Sequence, residues 1–162
     1  MNFINIILKK VNDDNKNYIY FLFIFNVGAQ ILVSSILPLS LSADSYQYLG
    51  IAEQFDITRV WKKIDPGYRS IGYPLFLYLL GAKTFVGVTV VIIIQSLMTI
   101  LIPILMFIFL SNNDWKNQMF IAKILTFFIS LFPYLHYISS QIMAETLYMF
   151  LLVLTLFYLE NF

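Results

Sequence analysis

Charged residues are missing from three long intervals of this chain, Asn17 to Ala43, Thr84 to Asn113 and Ile124 to Ala144. Each exceeds the ~20 residues that a helix needs to cross the hydrocarbon core of a bilayer. The pattern predicts membrane spans at about 18–41, 85–110 and 119–139, with a fourth at about 143–160 that contains Glu145 near its start. Pro103 and Pro133 fall inside spans two and three, where proline is tolerated because neighbouring helices or waters satisfy the freed carbonyls. Residues Met1 to Asn17 read as a short amphipathic lead at the surface.

The polar character interrupted by these runs is gathered in a loop, 42–84, which holds Asp44, Glu53, Asp56, Arg59, Lys62, Lys63, Asp65, Arg69 and Lys83. Within it, Ser45 to Phe55 carries apolar or aromatic residues at Tyr46, Leu49, Ile51, Ala52 and Phe55, which predicts a short helix with Asp44 as its cap after Ser42. The uncharged run Ser70 to Ala82 spans only about 20 Å as a helix, too short to cross, so an interfacial or re-entrant helix is expected. Gly72-Tyr73-Pro74 opens it, since proline fits a first helical turn. The fold class is therefore all-α: a polytopic helical membrane bundle of about four spans, one domain over 1–162, with short interfacial helices in a long first loop.

Composition agrees with that picture. The 162 residues are 60% hydrophobic and 18% aromatic with a mean hydropathy of +0.79, beyond the roughly 45–50% apolar usage of soluble domains. A first apolar run from Tyr18 to Leu41 is longer than the ~7–15 residues of a signal-peptide core and reads as a retained helix. A net charge of +1 offers no basic footprint for nucleic acid. Cysteine is absent, which excludes disulfides and thiolate metal sites. With four crossings, Lys9, Lys10, Lys16, Lys116 and Lys123 share one side, and Arg59, Lys62, Lys63, Arg69 and Lys83 the other. The positive-inside count is a tie.

The topology carries Asp44, His136, Gln141 and Glu145 to the face of the long loop. Glu145 has two readings, a functional or paired acid at membrane depth and an acid favoured by a helix N-terminus. His136 reads as an interfacial residue satisfied by its neighbours ahead of a metal ligand, because the chain has no second histidine. Arg59, Lys62 and Lys63 read first as a solvated edge and second as one facing phosphate. Tyr18, Tyr20, Trp61, Trp115, Tyr134 and Tyr137 suit interfacial belts.

Three stretches carry a resemblance: Asp44-Ser45-Tyr46-Gln47-Tyr48-Leu49-Gly50-Ile51-Ala52, then Arg69-Ser70-Ile71-Gly72-Tyr73-Pro74-Leu75-Phe76-Leu77, then Ala144-Glu145-Thr146-Leu147. In this order they resemble the start of the GT-C class of membrane glycosyltransferases, of the protein mannosyltransferase and aminoarabinose transferase type. The chain departs from that pattern at Ser45, where relatives often have a second acid, and at Ile71, where proline is usual. The resemblance covers nearly all of this chain and the N-terminal part of such an enzyme, so an incomplete transferase is expected.

The resemblance implies a sugar donor carried on a polyprenyl phosphate, a lipid, glycan or protein acceptor met on the extracytoplasmic side, and the cytoplasmic membrane of a bacterium as location. It implies Asp44 as the catalytic carboxylate and Arg69 as the holder of the departing phosphate; Tyr73, Glu145 and His136 are further candidates on the substrate side, and the topology, which places Arg69 and Glu145 on one face, suggests that these two pair near the donor phosphate. It leaves a divalent metal ion open. The alternative is a non-catalytic membrane subunit or transporter piece, with Glu145 as a buried ion-pair member or proton site.

Overall fold

The structure, a computed structural model, describes residues 13–37, 41–55, 70–111 and 118–161. Among these every element is helical: α1 (Asp13–Ile36), α2 (Ala43–Glu53), α3 (Gly72–Leu79), α4 (Phe85–Ser111), α5 (Gln118–Ser130), α6 (Pro133–Ser139) and α7 (Ala144–Asn161). The amphipathic lead before residue 13, the basic edge of Arg59, Lys62 and Lys63, both tryptophans, and Arg69 lie outside the described residues.

Burial along α1 and α5 runs opposite to that of a helix in water. In α1 the buried positions are Leu22, Asn26 and Gln30, whereas Tyr20, Phe23, Ile24, Ile31 and Leu32 face outward. In α5 the buried positions are Ala122, Thr126 and Ser130, with Phe120, Ile121, Leu125 and Phe128 outside. Both buried stripes repeat every four residues, the spacing of one helix face, and apart from Leu22 they present small or polar groups to the interior. This is the pattern of helices whose surroundings are lipid, where close packing and hydrogen bonds take the place of the hydrophobic effect between helices.

Two helices are long and apolar enough to cross a membrane, α1 from Asn15 and α4; the bent pair α5 and α6 makes a third if counted as one. The apolar part of α7, Ala144–Leu159, is shorter. Helix α4 is the hub, packed against α1, α5, α6 and α7. Its lower half supplies Ile102, Ile104, Leu105, Phe107 and Ile108 to the main core, which Leu22, Ala122, Leu135, Ile138, Val153 and Phe157 complete.

The interval expected as one span, 119–139, is broken by a 53° bend between α5 and α6. Pro133 opens α6 at its first positions, and Phe132 before it is extended, as the proline ring requires of its predecessor. The break frees carbonyls at the end of α5. Phe132 N donates to Ile129 O at 3.2 Å, and His136 Nε2 lies 3.2 Å from Ser130 O.

Beside the start of α4, α2 and α3 form a head that closes over a second buried cluster, which includes Tyr48, Ala52, Tyr73, Leu77 and Val91. Ser42, rather than Asp44, caps α2: its hydroxyl accepts from Ser45 N, and Ser45 Oγ accepts from Ser42 N, both at 3.1 Å. This reciprocal box places Asp44 inside the first turn, where a carboxylate is favoured by the helix dipole.

Helix α3 ends at Leu80 in a Schellman motif. Ala82 N donates to Leu77 O and Gly81 N to Tyr78 O, each at 3.0 Å, with Gly81 at φ 69°. Thr84 then starts α4, its hydroxyl accepting from Gly87 N at 3.0 Å. Lys83 reaches back from this turn to donate to Glu53 O at 3.2 Å, which ties the C-terminal end of α2 to the start of α4.

Candidate functional site

Tyr73 is the centre of the head. It sits in the first turn of α3 with 4% of its surface exposed. Its ring meets that of Tyr48 from α2 edge-on, with centroids 4.9 Å apart, in an arrangement that favours aromatic pairs. Its hydroxyl donates to Gln95 Oε1 of α4 at 3.4 Å. Gln95 is itself fully buried, and its amide nitrogen donates to Met143 O at 2.8 Å, just before α7 begins. One glutamine therefore fastens the loop helix on one side and the entry to α7 on the other.

Burial raises the pKa of the Tyr73 phenol; the bond to Gln95 opposes this, while the neighbouring Tyr48 and Glu145 add to it. The phenol therefore stays a neutral donor at physiological pH. It holds structure and does not supply a base.

Glu145 lies in the first turn of α7 and is exposed. With Tyr48, Ala144, Tyr148 and Met149 it lines a pocket of about 300 Å³. Asp44 is half-buried and stands four residues before Tyr48 on α2, one turn away on the same helix face. Asp44, Tyr73 and Glu145, named from sequence, thus belong to one end of the bundle.

His136 does not join them. It is 1% exposed in α6, with Nδ1 3.0 Å from Gln30 Oε1 of α1 and Nε2 against Ser130 O of α5. Ser139 Oγ donates to Gln30 Oε1 at 3.1 Å. Gln30 Nε2 donates to Ser96 Oγ of α4 at 3.2 Å.

The sequence reading missed Gln95, Gln30 and Asn26. Their signal is a polar residue at an inward position of an apolar helix, which cannot be told from an outward one until the packing partner is known.

Among the described residues no three His, Cys, Asp or Glu side chains converge in a way that holds a metal ion. Asp44 and Glu145 alone do not make a divalent-cation site. Compared with protein-family models, curated proteins and solved structures, the chain matches none.

Proposed function

We propose that the chain is the N-terminal module of a GT-C-like glycosyltransferase of the bacterial cytoplasmic membrane. In this reading it has four crossings, and the 42–84 loop is on the extracytoplasmic side. One observation supports the reading above others. The three segments that carry the resemblance are separated by 16 and 66 residues, yet they meet at one buried cluster. Tyr48 and Ala52 come from the first, Tyr73 and Leu77 from the second, and Ala144 and Leu147 pack against them from the third. Unrelated coincidences in sequence have no reason to meet in space.

Asp44 is the base. Its carboxylate takes the proton of the acceptor nucleophile as that atom bonds to the anomeric carbon of the donor sugar. The bond from that carbon to the polyprenyl phosphate breaks on the opposite face, so the configuration inverts. Arg69 receives the departing phosphate through two parallel hydrogen bonds. Tyr73 positions α3, and with it the chain entering from Arg69, while Glu145 faces the substrate side of the pocket.

The test is Asp44→Asn, assayed for transfer from a polyprenyl-phosphate sugar in cells that carry the complete transferase. The variant keeps the size of the side chain and, since Ser42 caps α2, the helix start. A fall of ~10²–10⁴ in rate with unchanged membrane insertion is expected from the loss of a general base. Unchanged transfer removes the catalytic assignment and leaves the non-catalytic subunit.

A further inference from the structure

The most deeply placed ionisable side chain with a described environment is one the proposed chemistry does not use. Both ring nitrogens of His136 face oxygen atoms, Ser130 O at 3.2 Å and Gln30 Oε1 at 3.0 Å. A backbone carbonyl only accepts hydrogen bonds, and so does an amide oxygen. With the amide oxygen of Gln30 on Nδ1 the arrangement suits a ring carrying hydrogen on both nitrogens. A neutral ring cannot keep it, because one nitrogen lone pair would confront an oxygen lone pair in a buried place.

The carbonyl of Ser130 cannot turn, but the Gln30 amide can. Turned by half a rotation, its NH₂ would donate to Nδ1, and its oxygen would accept from the hydroxyls of Ser34 and Ser96, which lie 3.4 and 3.2 Å from Nε2 as it stands. Ser139 Oγ, whose single hydrogen is within reach of both Gln30 Oε1 at 3.1 Å and His136 O at 2.8 Å, would give it to His136 O and accept from the turned amide. His136 O, which accepts from Gln30 Nε2 at 3.4 Å as the amide stands, keeps Ser139 Oγ as its donor when the amide turns, and the two arrangements differ by one proton.

We infer that His136 and Gln30 form a proton-responsive latch inside the bundle, in which protonation of the ring at Nδ1 and rotation of the Gln30 amide are one event. The polar groups against the ring are Gln30 Oε1 from α1 and the Ser130 carbonyl from α5, and the Gln30 amide in turn meets Ser34 from α1, Ser96 from α4 and Ser139 from α6. The side chains of α7 in the shared core are the apolar Val153 and Phe157, and Glu145 of that helix is exposed. No carboxylate or ammonium among these sets the proton on the ring, so amide rotation is the means of accommodating it. The rotation also changes Ser96 from acceptor to donor. Ser96 directly follows Gln95, which holds Tyr73 and the entry to α7, so the latch sits one residue from the support of the candidate site.

The chain has a single histidine, which makes the experiment direct. Protein labelled with ¹⁵N in histidine and glutamine side chains is placed in lipid nanodiscs. Its spectrum is followed from roughly pH 4 to 9, bracketing the ordinary imidazole range of about 5 to 8. At high pH the expected ring has one protonated nitrogen, Nε2. On acidification Nδ1 gains its proton, and the Gln30 amide resonance shifts with the same midpoint.

In Gln30→Glu, whose ionised carboxylate cannot donate, the ring is expected to hold both hydrogens across the range. A ring that never changes state, a neutral ring protonated at Nδ1, a ring that titrates while the Gln30 amide stays still, or a Gln30→Glu ring that titrates as wild type would each overturn the latch.

Discussion

Replacing Gly87 by alanine is the sharpest test of how the α2–α3 head is mounted on the bundle. A Cβ built there lies 1.8 Å from Gly81 O, 2.3 Å from Gly81 C and 2.8 Å from Ala82 N. All three are backbone atoms of the Schellman turn, so no side chain can swing aside. The start of α4 and the turn would have to separate by roughly 1 Å, a form of overpacking that costs about 1–3 kcal/mol. The Thr84 cap on Gly87 N spans the same gap, and losing it adds about 1 kcal/mol. Alanine returns up to ~1 kcal/mol of helix propensity, leaving a net loss of about 2 kcal/mol.

The control is the same substitution at Gly50 or Gly28, where a Cβ meets nothing within 4 Å; there the propensity gain stands alone and stability should hold or rise slightly. Unfolding by denaturing detergent, read with hydrogen exchange at the amides of Gly81, Ala82 and Gly87, measures both parts. Gly87→Ala should unfold earlier and expose those amides. If it matches Gly50→Ala in midpoint and protection, the close approach is not what joins the head to α4.

Three further expectations follow the same packing. A cysteine at Gln54, exposed at the end of α2, should react with an impermeant thiol reagent outside spheroplasts; labelling only after permeabilisation would reverse the proposed orientation. Asn26→Leu should be nearly neutral, within the ~0.6 kcal/mol typical of one interhelical bond, because Asn26 Oδ1 has no partner and Ser130 Oγ keeps its bond to Thr126 O at 2.9 Å; in a denaturing-detergent titration a loss as large as that of Gln30→Leu would refute this. Tyr73→Phe should cost about 1–3 kcal/mol near neutrality by stranding Gln95 Oε1. The raised folded-state pKa of Tyr73 means its contribution is full below its unfolded value of ~10 and declines as pH climbs beyond it. The variant should lack that alkaline decline, and a decline of wild-type size would place its origin elsewhere.

The coarse fold was legible because charge is costly in hydrocarbon: uncharged runs of sufficient length marked α1 and α4, whereas the bend at Phe132 was read as a proline tolerated inside one span. The head was less legible. Ser42 and Asp44 are both good caps by type, and only the reciprocal bonds with Ser45 decide between them. The inner networks were hidden for a different reason. Asn26, Gln30, Gln95 and Ser96 lie in uncharged runs, and periodicity alone gives a face without saying whether that face meets lipid or a helix. For the candidate site, Asp44, Tyr73 and Glu145 could be named from local patterns, while Gln95, which fastens Tyr73 to Met143, acts across 22 and 48 residues of sequence. No local pattern carries that information.

The inverted burial of α1 and α5 bears on what sequence change this protein tolerates. Outward positions such as Ile24, Ile31, Phe120 and Phe128 need only be greasy, so their identity is free to drift among apolar residues of any shape. Inward positions such as Ala122, Thr126 and Ser130 have neighbours within bonding or van der Waals reach and accept little beyond small side chains. A saturation library of these two helices would therefore read as two interleaved four-residue rhythms, with the permissive one hydrophobic. In a water-soluble bundle the permissive rhythm is the polar one, so the library alone would report which solvent the helices evolved against.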